Sequence, residues 1–106
     1  MKRYIVEITD SAAKDMDDIY QYIAYSLCAP ETAAELYDTI AKAILSLDEM
    51  PLRFSVPTNT VCEKHSLHRM LVKHYSVFFL VYDDKVIVTD VLYSASNLEG
   101  KLLERH

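Results

Sequence analysis

Arg69 and Lys73 lie in a stretch, His68 to His74, in which polar and apolar residues alternate. Alternate residues of a strand share a face, so Arg69, Leu71 and Lys73 are expected on one side and Met70 and Val72 on the other. Two cations on one exposed face could hold an anion or an acidic segment of another protein. Two solvated strand charges are the plainer account, and the residues alone leave both open. Arg53 could join them from the preceding loop. His65, His68 and His74 titrate near neutrality when unperturbed, which makes them candidates for acid–base work. Tyr75, Phe78, Phe79, Tyr82 and Tyr93 offer rings on which a base could stack. A central strand needs most of them for packing, which leaves Tyr93, expected near the mouth of the exposed face. If the chain is a catalyst, Arg69, Lys73, His74 and Tyr93 are the candidates.

Cys62-x-x-His65-x-x-His68 has the residue types of half a zinc site. Zinc wants four ligands, and no second CxxC or HxxxH completes the set, so a loop that merely contains these residues is the simpler account. No metal or cofactor is called for. Asp15, Asp17 and Asp18 are read as the solvated face of a helix rather than a cation site.

Arg3 to Thr9 alternates, with Tyr4, Val6 and Ile8 on one side, and reads as a half-buried strand. Thr9, Asp10 and Ser11 are three possible N-caps in a row. Ala12, Met16, Ile19, Tyr20, Ile23 and Leu27 then recur at helical spacing. Cys28-Ala29-Pro30 breaks that helix, and Pro30 suits the first turn of a second, where its missing N–H costs nothing. Ala33, Leu36, Tyr37, Ile40, Ala41, Ile44 and Leu45 form the clearest amphipathic stripe in the chain. The two helices should form an antiparallel hairpin.

Leu52 to Ser66 is polar and irregular and reads as a long loop. Three strands follow: His68 to His74, Ser76 to Tyr82, and Val86 to Tyr93, with Asp83-Asp84 at a turn. Leu98, Leu102 and Leu103 predict a short terminal helix over Asn97 to His106. The expected fold class is α+β, ordered β-α-α-β-β-β with a final helix. A helix hairpin packs on one face of a small, mostly antiparallel sheet, and the other face stays partly open for function.

The 106 residues suit one domain over residues 1–106. The net charge of −5 is unevenly placed. Asp10 to Met50 holds nine acids against two bases, whereas Pro51 to His106 holds six acids against seven bases. An anionic partner should therefore meet the C-terminal half, and sequence-specific DNA binding by this chain alone is not expected. No apolar run is long enough to span a bilayer, the first residues are too short and charged for a signal peptide, and two distant cysteines read as free thiols. A cytoplasmic protein is expected.

Arg69-Met70-Leu71-Val72-Lys73-His74-Tyr75-Ser76-Val77-Phe78-Phe79-Leu80-Val81-Tyr82 resembles the RelE/ParE toxins of type II toxin–antitoxin (plasmid stabilisation) systems. Val86 to Ser94 is similar to that family's last strand, and Asn97-Leu98-Glu99-x-x-Leu102-Leu103 to its tail. The early Ile/Val strand, the helix hairpin and the Pro after it agree, so the resemblance covers nearly the whole chain. It implies a toxin neutralised by a cognate antitoxin, with DNA gyrase as the target in the ParE-like branch and mRNA on the ribosome in the RelE-like branch.

The ribonuclease branch places cationic or proton-shuttling groups where this chain has Leu71, Ser76 and Ser94-Ala95-Ser96. Attack by a 2′-OH needs charge stabilisation at the phosphate and an acid or base for each oxygen. Ser can donate a hydrogen bond to a phosphate but cannot neutralise it. These departures favour the ParE-like branch, or a non-toxic relative that only binds antitoxin, over an mRNA endonuclease. Target or antitoxin contacts are expected on the open sheet face at Arg53, Arg69, Leu71, Lys73, Ser76 and Tyr93.

Overall fold

A computed structural model describes residues 2–106. Strand β1 (Ile5–Ile8) runs into helix α1 (Asp10–Gln21), whose N-cap is Thr9; its hydroxyl accepts the Ala12 N–H at 3.1 Å. Of the three candidate caps, Thr9 is the one with extended backbone. The helix ends in one π-helical turn, Tyr22–Ser26, followed by Cys28 at φ 52°. Helix α2 (Pro30–Leu45) starts with Pro30 in its first turn, as the sequence predicts. Ile40 and Ile44 are buried from its apolar stripe, each contributing about 1.5–3 kcal/mol.

The stretch from Leu52 to Ser66 is not a bare loop. A 3-10 turn at Pro51–Arg53 precedes a short helix α3 (Thr60–His65), capped by Asn59, whose side chain accepts the Cys62 N–H at 2.9 Å. The helix has under two turns, so its apolar residues, Val61 and Cys62, are too few to show a period.

Strands β2 (His68–Val72), β3 (Tyr75–Tyr82) and β4 (Lys85–Tyr93) and helix α4 (Leu98–Arg105) complete the chain. The sheet order is β1-β4-β3-β2, with β1 parallel to β4 and the other pairs antiparallel. A parallel pair needs a crossover, and the path from β1 through the helix hairpin to the distant β4 provides it.

Two cores lie on opposite faces of this sheet. The helix hairpin packs on the first, where Met16, Ile40, Met70, Val77, Phe79, Val86 and Val88 are buried together. On the second, Val61 and Cys62 of α3 and Leu102 of α4 cover Phe78 and Leu92. The face expected to be partly open is therefore largely occupied, by a helix the sequence hides and by the terminal helix.

β4 carries a bulge. Phe78 pairs with Asp90 and Phe79 with Val88, so Thr89 is an extra residue. One extra residue reverses the alternation. Val86 and Val88 face the hairpin before the bulge, and Val91 faces it after. Tyr93, two residues on from Val91, is carried to the hairpin side with it.

Candidate functional site

Arg69 leaves the second face of β2. Its Nε donates to Ser76 Oγ at 2.9 Å, and Ser76 Oγ shares a hydrogen bond with Ser94 Oγ at 2.8 Å. Ser76 is fully buried. The three residues thus form a chain from a half-buried guanidinium through a buried hydroxyl to the start of the β4–α4 connection. Among the described residues no carboxylate lies within ion-pair distance of Arg69. Its remaining N–H groups are held in orientation by the serine and are available to an anion. Leu71, on the same face, is 62 % exposed.

The other predicted residues are dispersed. Lys73 is not in the strand: β2 ends at Val72, and Lys73 takes a left-handed backbone (φ 56°) in the turn to β3. The turn sends it to the hairpin side, where it lines a groove with Ile23, Leu27, Glu35 and His74. His74 holds the turn to the end of β4 by accepting the Ser94 N–H at its carbonyl, 2.8 Å. Tyr93 stands on the hairpin side because of the bulge. Ser76, expected on an open face, is sealed from solvent. Arg53 donates from Nη1 to the carbonyls of Glu49 and Met50 and lies over the Phe54 ring, which ties it to its own turn.

The Cys62-x-x-His65-x-x-His68 residues point apart. Cys62 is buried in the second core, and burial pushes its thiol above the ordinary range. His65 packs by the ring of His106, and His68 stacks on Phe79 with Nδ1 2.8 Å from the Phe54 carbonyl. The three do not form a common coordination site. His68 is a packing residue.

The acidic run expected on a solvated helix face departs from that face at one position. Asp17 and Asp18 are exposed, but Asp15 is buried, at 7 % exposure, and so is Asp90, at 1 %. Arg105 of α4 joins them: its guanidinium meets Asp15 at 2.6 and 2.8 Å and Asp90 at 3.1 Å. His106 Nε2 lies 2.7 Å from the other Asp90 oxygen. The side-chain bonds from the two aspartates, led by that from Asp15, hold the Arg105 charge firmly in place, raising its pKa further. Strand geometry explains Asp15. β1 stops at Ile8, opposite Val88, so the Val91 N–H beyond it has no neighbouring strand; Asp15 accepts it instead at 3.0 Å. An acid at position 90, in a strand whose other residues apart from Lys85 and Thr89 are apolar or aromatic, is the one signal of this network in the sequence.

Beside the network is a cleft of about 490 Å³ between α1, the end of the sheet and α4. Tyr22, Tyr75 and Tyr93 line it with Lys101 and Arg105. The rings of Tyr75 and Tyr93 are 5.6 Å apart at 61°, and burial, aided by the neighbouring phenols, pushes the Tyr75 hydroxyl above its ordinary range. Sequence reasoning missed this cleft, because Tyr22 reaches it from the π-helical turn and Tyr93 through the bulge.

The model of the family described as the ParE toxin of type II toxin–antitoxin systems, parDE, matches residues 6–98. A structure of the chromosomal ParDE toxin–antitoxin system from P. aeruginosa superimposes with a TM-score of 0.73 at 18 % identity, covering 86 % of this chain and 96 % of that one. The toxin–antitoxin complex RelBE2 from Mycobacterium tuberculosis gives a TM-score of 0.61 at 20 % identity, covering 91 % and 97 %. At such identities these structures establish a shared fold. No curated protein matches the sequence.

Proposed function

The chain belongs to the ParE toxin family of type II toxin–antitoxin systems, and we propose that it acts by binding and inhibiting a target such as DNA gyrase rather than by cutting mRNA. The observation that carries this is Ser76. A ribonuclease of the related RelE type would need a cation there, and the position holds a fully buried hydroxyl committed to Arg69 and Ser94. With Leu71 aliphatic and Lys73 turned to the other side, Arg69 is the only one of the predicted catalytic candidates left on that face. One guanidinium can hold an anion but provides no acid and base pair for transesterification. Binding a protein makes no such demand.

A cognate antitoxin is the natural partner, since the structural neighbours include a toxin–antitoxin complex. No helix among the described residues is long and apolar enough to cross a membrane, and the single toxin domain is read as working in the cytoplasm. The test is induction of the chain alone in bacteria, with gyrase supercoiling and mRNA cleavage assayed alongside. Growth arrest with inhibited supercoiling and intact mRNA is expected, with arrest relieved by Arg69→Ala. Ribosome-dependent mRNA cleavage would replace this reading with the endonuclease. Normal growth with soluble expression would leave a relative that only binds antitoxin.

A further inference from the structure

Arg69 pairs with Phe78 and Leu71 with Ser76, so Arg69 and Ser76 are diagonal neighbours across β2 and β3. The Arg69 backbone is fixed as well: its N–H donates to the Ser55 carbonyl at 3.1 Å. The residue is thus held both at its main chain and at its Nε.

Burial sets the direction of the hydroxyl chain behind it. Nε can only donate, so Ser76 Oγ accepts. Ser76 is sealed from solvent, and among the described residues Ser94 is the one other partner of its hydroxyl. If Ser94 donated, the Ser76 proton would be buried without an acceptor, which is costly. Ser76 therefore donates to Ser94, and each bond of the chain polarises the next.

The far end of the guanidinium is placed differently. Among the described residues, no side-chain nitrogen or oxygen that is sealed from solvent lacks a partner. The two Nη groups of the half-buried Arg69 have no protein partner there, so both reach solvent. The acids on this side do not claim them. Asp90 is held by Arg105 and His106, and Glu63 of α3, which is exposed, makes no ion pair with Arg69.

We propose that Ser76 and Ser94 are positioning residues, which fix Arg69 through Nε so that its two Nη groups meet one carboxylate of the toxin's protein target. This rests on the reading that Arg69 contacts that target. A guanidinium edge offers a carboxylate two parallel donors. A nucleic-acid backbone fits less well, because its phosphates come in series and need several cations. Here the neighbour on the same face is Leu71, 62 % exposed, and Lys73 is turned away.

The experiment follows the Arg69 Nε–H signal by NMR in the wild-type chain, Ser94→Ala, Ser94→Thr and Ser76→Ala, with thermal melts to confirm folding. Slow hydrogen exchange is expected in the wild type and in Ser94→Thr, which keeps the hydroxyl, and exchange about tenfold faster in Ser94→Ala. Acetate at constant ionic strength should shift the wild-type signal, Ser94→Ala should need about fivefold more, and dimethyl phosphate should bind more weakly than acetate. In induced bacteria Ser94→Ala should weaken growth arrest, and Ser94→Thr should restore it. Arg69→Lys, which keeps the charge without an Nε–H, should be as inactive as Arg69→Ala. An Nε–H that exchanges as fast as that of the exposed Arg3, or that ignores Ser94→Ala, would overturn the proposal. So would undiminished arrest by Ser94→Ala. Tighter binding of dimethyl phosphate would overturn it in favour of a nucleic-acid backbone. If the wild-type chain arrests no growth, the toxin reading fails by that result, while the exchange and acetate measurements still uphold or overturn the positioning.

Discussion

Asp15 and Arg105 are ninety residues apart and form a two-pronged ion pair, at 2.6 and 2.8 Å, that ties the first helix to the last. Arg105 also reaches Asp90 in the strand between them. Removing it in Arg105→Ala leaves two buried carboxylates without their cation. Breaking a buried pair costs about 3–5 kcal/mol, and the low end applies because the Arg105 side chain is a third exposed. A loss of about 3 kcal/mol should appear as a lower midpoint in urea unfolding. A change under about 0.5 kcal/mol, as for a surface pair, would show that solvent already screens the network.

Ser76 separates the ribonuclease reading from the binding reading. Placing a guanidinium there in Ser76→Arg should not create mRNA cleavage, because the site is closed to solvent and its hydroxyl holds Arg69 at 2.9 Å. Overpacking should instead destabilise the chain by about 1–3 kcal/mol. Thermal melting together with a ribosome-programmed cleavage assay checks both halves. Cleavage by a stable variant would mean that the position is open to substrate.

Leu102 fastens α4 over the second face of the sheet, against Phe78 and Leu92. Leu102→Ala should cost about 2–5 kcal/mol. Loosening α4 also bares this second core, so binding of a hydrophobic dye should rise under native conditions, before global unfolding. Unchanged dye binding would mean that α4 stays docked on its ionic network alone.

The two thiols should differ sharply. Cys28 is exposed, whereas Cys62 is buried and its pKa is raised chiefly by that burial. A raised pKa means less thiolate at neutral pH, and thiolate is the reactive form. A thiol reagent at neutral pH should therefore titrate one cysteine per chain quickly and the second only on unfolding. Two fast thiols would show that α3 opens readily.

The sequence by itself determined the elements that repeat a period long enough to read. The hairpin stripe through Ala33, Ile40 and Ile44, the alternation that buries Met70 and Val72, and the first-turn Pro30 are local signals that agree with the fold, whereas Tyr37 and Leu45 of the same stripe are exposed. The same patterns carried the family resemblance and the order of elements. What only the tertiary structure decided were the faces. The extra Thr89 reverses β4, a two-residue turn pulls Lys73 out of β2, and the six-residue α3 is too short to show a stripe. The ionic network joins residues 15, 90 and 105, and no local pattern links positions so far apart. Side-chain alternation has a period of two, so one inserted residue moves every following side chain to the opposite face. That is why Tyr93 could be singled out from the sequence and still be assigned to the wrong side of the sheet.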